Sequence, residues 1–67
     1  MSKKITVSKA EYRVLAKIAK KDNLSVDEEV EMACLKFFYV WDRNTFEEMK
    51  PHVTNPKILE VFYRKYG

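Results

Sequence analysis

The sequence is poor in the residues that hold small proteins together. It has one cysteine, one histidine and a single glycine, which is its last residue. One cysteine cannot form an internal disulfide, and one histidine with one cysteine falls short of the four N/S ligands of a typical structural zinc site. A chain of 67 residues buries only about 60% of its unfolded surface and is marginally stable alone. We therefore expect oligomerisation to supply the missing stability.

Signals for secretion, membrane insertion and catalysis are missing as well. No apolar run approaches the roughly 18 residues of a membrane span, and lysines stand where a signal peptide needs an apolar stretch. These features predict a cytoplasmic protein with a reduced cysteine. There is no glycine-rich phosphate loop, nucleophile–base pair or metal-ligand spacing. We expect no enzyme activity, no cofactor and no metal.

The positive charge is concentrated in the first third of the chain. Residues 1–22 carry seven Lys/Arg and two Asp/Glu, whereas residues 23–49 carry two and seven, and residues 50–67 carry four and one. A basic patch on a nearly balanced protein indicates a polyanionic partner, although many solvated helices carry as much lysine.

The segment from Lys3 to Val7 alternates polar and apolar residues. Three successive β-branched residues, Ile5, Thr6 and Val7, favour a short strand with Ile5 and Val7 on one face and Lys4 and Thr6 on the other. No later segment alternates in this way, and unpaired strand backbone is unfavourable when buried and adhesive when exposed. The simplest partner is the same strand of a second copy, antiparallel across a two-fold axis.

Two helices with capping boxes follow this strand. Ser8 and Glu11 begin the first helix, which ends near Asn23, and Ser25 and Glu28 begin the second, which runs to about Asp42. Each helix has an apolar stripe at helical spacing. The stripes are Tyr12, Leu15, Ile18 and Ala19 in the first, and Val26, Val30, Ala33, Cys34, Phe37, Phe38 and Trp41 in the second.

A helical extension is expected after the second helix. Asn44 or Thr45 caps a short helical stretch that ends at Pro51. Asn55 followed by Pro56 begins a final helix. The apolar side of this helix contains Ile58, Leu59, Val61, Phe62 and Tyr66.

The order and spacing of these motifs resemble the ribbon-helix-helix family of Arc, MetJ and CopG repressors. The resemblance covers roughly residues 2–41, from Lys4-Ile5-Thr6-Val7-Ser8 to Val30-Glu31-x-Ala33-Cys34-x-x-Phe37. It implies a mostly α protein with one short β-strand, in which two copies form an intersubunit antiparallel ribbon that enters the major groove of DNA. Residues 1–43 would form the dimerisation and DNA-binding core, and residues 44–67 a C-terminal helical extension of the same domain.

The resemblance also implies roles for individual residues. Lys4 and Thr6 would contact base edges, with Ser2 one step earlier on the same face. The amides of Ser25 and Val26 would anchor a phosphate at the second helix N-terminus. Further phosphate contacts fall to Lys3, Lys9 and Arg13. The dimer core would contain Ile5, Val7, Leu15, Ile18, Val30, Cys34, Phe37 and Trp41.

One feature departs from the family pattern. Asp27, Glu28, Glu29 and Glu31 crowd the start of the second helix. Acidic residues there favour the helix dipole but compete with a bound phosphate and repel the DNA backbone.

Two functions are compatible with the sequence. The first is a sequence-specific dimeric DNA-binding protein, a transcriptional repressor or regulator. The second is an antitoxin-like protein–protein interaction module whose extension binds a partner protein through residues 56–66. A structural reading of the extension, in which its last helix packs on the core, competes with the second function.

Overall fold

A computed structural model describes residues 7–67 as four α-helices in sequence. They are α1 (Lys9–Asp22), α2 (Val26–Trp41), α3 (Arg43–Met49) and α4 (Pro56–Tyr66). A single 3-10 turn, Lys50–His52, follows α3 directly. None of the helices in this part of the chain has the length and apolar character needed to cross a bilayer.

Local side-chain hydrogen bonds begin α1 and α2 where the sequence predicts. The hydroxyl of Ser8 accepts from the Glu11 amide at 3.1 Å, and the Ser8 amide donates to the Glu11 carboxylate at 3.1 Å. Ser25 and Glu28 form the same reciprocal pair at 3.1 and 2.8 Å. Asn23 ends α1 in the left-handed conformation with φ 59°. Both capping boxes and the Asn23 cap are therefore confirmed.

The junction between α2 and α3 differs from the prediction. Neither Asn44 nor Thr45 is the cap; Asp42 is, and its carboxylate accepts a hydrogen bond from the Thr45 amide at 3.2 Å. Asp42 leaves helical geometry at φ −152° and ψ 86°, so one residue ends α2 and begins α3. Asn55 caps α4 with Pro56 in the first turn, as predicted.

The core lies between α2 and the carboxyl-terminal helices. Met32 and Leu35 of α2 are 1% exposed, and Phe62 of α4 and Phe46 of α3 are 0% and 1% exposed. The Phe62 ring lies 5.4 Å from that of Phe46 and 5.3 Å from that of Tyr39, centroid to centroid. Leu24, Ile58 and Val61 complete the buried cluster.

The predicted ribbon-helix-helix fold is wrong for the part of the chain that the structure describes. Residues 7–67 contain helices and no strand. Of the predicted strand, Val7 is described and lies in no regular element, while residues 3–6 lie outside the described residues. The prediction assumed that so short a chain cannot form a stable core without a second copy. The structure removes that premise, because α3 and α4 fold back on α2 and form a core within one chain.

The segment 44–67 is an integral part of this core. It supplies four buried side chains, those of Phe46, Ile58, Val61 and Phe62. The last helix therefore packs on the core of its own chain.

Removing the central ring should test this packing. We expect Phe62→Ala to lower the free energy of unfolding by about 3–5 kcal/mol, because it leaves a cavity in the core. Tyr63→Ala is the matched control, since Tyr63 is 43% exposed and should lose at most about 1.5 kcal/mol of edge-to-face contact. Urea denaturation of both variants measures the difference. Equal losses would contradict the assignment of Phe62 as the core residue of α4.

Candidate functional site

One side of α1 carries a row of cations. Lys9, Arg13, Lys17 and Lys20 follow one another at steps of four, four and three residues, which places them within about 80° of the helix circumference. All four are exposed, and none forms an ion pair within residues 7–67. This row, called the basic face below, is free to meet an anionic partner.

Helix α1 is attached to the rest of the chain mainly through its carboxyl-terminal half. Residues 7–14 are all exposed, and only Ala19 and Asp22 of α1 are buried. Leu15 and Ala16 are half-buried. The amino-terminal turns of α1, with the first part of the basic face, therefore lie clear of the core.

The second surface is a continuous apolar strip on α2, opposite the side that packs on α4. Phe37, Val40 and Trp41 are 55%, 58% and 75% exposed. The strip, called the outer face of α2 below, contains no charged side chain. Its members are Val26, Val30, Ala33, Cys34, Phe37, Val40 and Trp41. Large exposed apolar patches of this kind mark interaction sites.

The predicted dimer-core residues lie outside the buried core of the single chain. Val7, Ile18, Cys34, Phe37 and Trp41 are exposed, and Leu15 and Val30 are half-buried. Ile5 lies outside the described residues. Five of the seven described members thus lie on surfaces that one chain leaves exposed.

The residues of α2 that form the core were missed by the sequence analysis. Met32 and Leu35, with the half-buried Tyr39, face α3 and α4. The signal was present, because α2 carries apolar residues on two opposite sides. The stripe predicted from the sequence coincides with the outer face except that it includes Phe38, which packs against the core, and omits Val40.

The acidic start of α2 is largely used within the chain. Glu28 accepts from the Asn55 side chain at 2.7 Å in addition to its capping bond. Hydrogen bonds from the Ser25 backbone and from Asn55 lower its pKa. Glu31 accepts from the Thr54 amide at 3.2 Å and from the Thr54 hydroxyl. These carboxylates fasten the start of α4 to α2, but their partners are neutral donors, so the negative charge that repels DNA remains.

Some of the predicted phosphate contacts are exposed and accessible, and others are already bonded or partly buried. Lys9 and Arg13 lie on the basic face. The Ser25 amide already donates to Glu28 at 2.8 Å, so a phosphate would have to displace a carboxylate, and Val26 is half-buried. The remaining predicted contacts, Ser2, Lys3, Lys4 and Thr6, lie outside the described residues.

The residues from 7 to 67 include no group of three or more His, Cys, Asp and Glu side chains placed to hold a metal ion. The candidate functional features of this part of the chain are two surfaces, the basic face of α1 and the outer face of α2. No protein-family model, characterised protein or solved structure gives a significant match to the chain.

Proposed function

We propose that the chain is an intracellular, homodimeric DNA-binding protein that acts as a transcriptional regulator. Two copies pair through the outer face of α2, and the basic face of α1 contacts DNA phosphates. The observation that carries the DNA-binding part is the basic face itself, a row of four exposed cations on one side of one helix.

Pairing with a second copy follows from the character of the outer face. Its aromatic residues are more than half exposed, and each aromatic side chain removes about 150–250 Å² from water when it is buried. A two-fold axis brings the same patch of both copies together, so each copy covers the other's apolar strip.

An antiparallel crossing of two α2 helices suits this strip best. Cys34 lies near the middle of the helix Val26–Trp41, and a symmetric antiparallel crossing brings the two midpoints together. The aromatic end of each helix then packs beside the smaller residues Val26 and Val30 of the other. Large side chains meet small ones along the whole contact, and no charge is buried.

Binding to DNA phosphates follows from the basic face. Cations that neutralise phosphates release counterions from DNA, which gives affinity without reading sequence. Lys3 and Lys4 precede the face in the sequence. A dimer doubles these cations on one molecule.

Capture of a protein partner by residues 56–66 is less well supported. Three of the apolar residues that could anchor a partner, Ile58, Val61 and Phe62, are buried within the chain. Tyr63 is the large exposed hydrophobic residue that α4 retains. A partner would therefore have to bind the rim of α4 rather than its apolar side.

Two exposed arginines provide a matched test of DNA binding. We expect Arg13→Ala to weaken binding and to reduce the slope of log affinity against log salt by about 0.9, the loss of one phosphate contact. Arg64→Ala removes the same charge from α4 and should change neither quantity. Fluorescence anisotropy with duplex DNA over a salt series measures both. Equal effects of the two substitutions, or no binding by the folded protein at low salt, would refute the assignment.

Self-association has a separate test. The wild-type chain should sediment at twice its mass of 8.0 kDa at micromolar concentration. Phe37→Glu should sediment as a monomer with its helix content retained, because it places a charge in the apolar contact while leaving the α2–α4 core intact. Tyr63→Glu, which alters an exposed aromatic residue of α4, should stay dimeric. A monomeric wild type, or a dimeric Phe37→Glu, would contradict pairing through the outer face.

A further inference from the structure

Two acidic side chains are buried side by side where α1, α2 and α4 meet. Asp22, the last residue of α1, is 9% exposed and Glu29 of α2 is 5% exposed. Lys65 of α4 donates to Asp22 Oδ2 at 2.9 Å. The carboxyl groups of Asp22 and Glu29 are close enough for each to affect the pKa of the other. One cation therefore faces two acids.

If both acids were ionised, the cluster would lack a hydrogen-bond donor and would hold an unbalanced negative charge. Glu29 Oε1 is buried and has no hydrogen-bond partner within residues 7–67. Two adjacent carboxylates in a partly dry site repel each other, and Lys65 balances only one of them. A proton on Glu29 removes the second charge and provides the donor that the pair of carboxyl groups lacks.

The surroundings determine which acid keeps the proton. Burial, followed by the hydrogen bond and charge of Asp22, raises the pKa of Glu29 to about 7, and the charge of Lys65 only partly opposes this. Burial alone would raise the pKa of Asp22 as well. Hydrogen bonds from Lys65 and Glu29, with the charges of Lys65 and Arg64, outweigh burial and lower it. Asp22 is thus the ion-paired partner and Glu29 the protonated one.

The position of the cluster means that it attaches α1 to the rest of the chain. Ala19 and Asp22 are the buried residues of α1, so the cluster provides one of the few attachments of that helix. The aromatic core of α2, α3 and α4 is formed by other residues, none of which has a carboxyl group. Charging Glu29 therefore strains the contact of α1 without disturbing the aromatic core.

We propose that the proton shared by Asp22 and Glu29 is a latch that holds α1 against α2 and α4, and that its loss loosens α1 while the α2–α4 core stays folded. The proposal stands whether or not the chain binds DNA. If it does, the latch places the basic face under the control of pH.

The direction of the pH effect follows from linkage. The pKa of Glu29 is higher in the closed state than its ordinary value of 4.5, to which it returns once α1 opens. The stabilisation is complete below about pH 4.5, declines as the pH rises, and is lost above about pH 7. Opening of α1 should therefore increase by nearly tenfold per pH unit in the middle of this window and level off above it.

Amide hydrogen exchange followed by NMR measures this opening, after correction for the intrinsic pH dependence of exchange. In the wild-type chain, the last turns of α1 should open more often at pH 7 than at pH 5. The amides of Ile58–Phe62 in α4 should show no such change. The same pH dependence in α4, or none in α1, would overturn the proposal.

A second test of the proposal replaces Glu29, the protonated acid. Glu29→Gln keeps a donor toward Asp22 but does not titrate, so opening of α1 should become independent of pH between 5 and 7.5 at about the level of the wild type at pH 5. Glu60→Gln, at an exposed position of α4, should keep the wild-type dependence. A Glu29→Gln variant that also keeps the wild-type pH dependence would refute the latch.

If the Glu29→Gln variant fails to fold, NMR titration of the carboxyl groups in the wild-type chain decides the question. A midpoint near 7 for Glu29 supports the latch, and one near 4.5 refutes it.

Discussion

The structure depends on helix α2 having to be covered on two opposite sides. Its inner side, with Met32 and Leu35, packs against Phe46 and Phe62 and is sealed within one chain. Its outer side is equally apolar, and the part of it that contains Phe37, Val40 and Trp41 is left exposed by residues 7–67. An exposed apolar surface on one side of a 16-residue helix is typical of an interaction site. The inner contact accounts for the fold, and the outer face is the reason to propose a second copy.

Polar contacts fix the arrangement that this packing requires. The bonds from Glu28 to Asn55 and from Glu31 to Thr54 hold the start of α4 beside the start of α2. Lys65 reaches Asp22 from the other end of α4. The carboxylates of Glu28 and Glu31, which the sequence analysis expects to repel DNA, thus hold α4 in place. None of the cations of α1 forms an ion pair with another side chain of residues 7–67.

The features predicted correctly from the sequence are those set by near neighbours. The capping boxes at Ser8 and Ser25, the left-handed Asn23 and the Asn55 cap each depend on residues within three positions, and each is present. The predictions that failed depend on what a segment packs against. Alternation over five residues cannot establish a strand without its partner, and the wider stripe of α2 drew attention away from Met32 and Leu35. The basic face was partly visible in the charge distribution, whereas the Asp22–Glu29 pair needed the approach of α4 to be recognised.

The emission of Trp41 tests the central claim most directly, because it is the only tryptophan of the chain and is 75% exposed in a single copy. Pairing through the outer face of α2 predicts blue-shifted emission at high protein concentration, which moves to the red on dilution while the helix signal in circular dichroism persists. Emission typical of a water-exposed indole at every concentration would contradict pairing through this face.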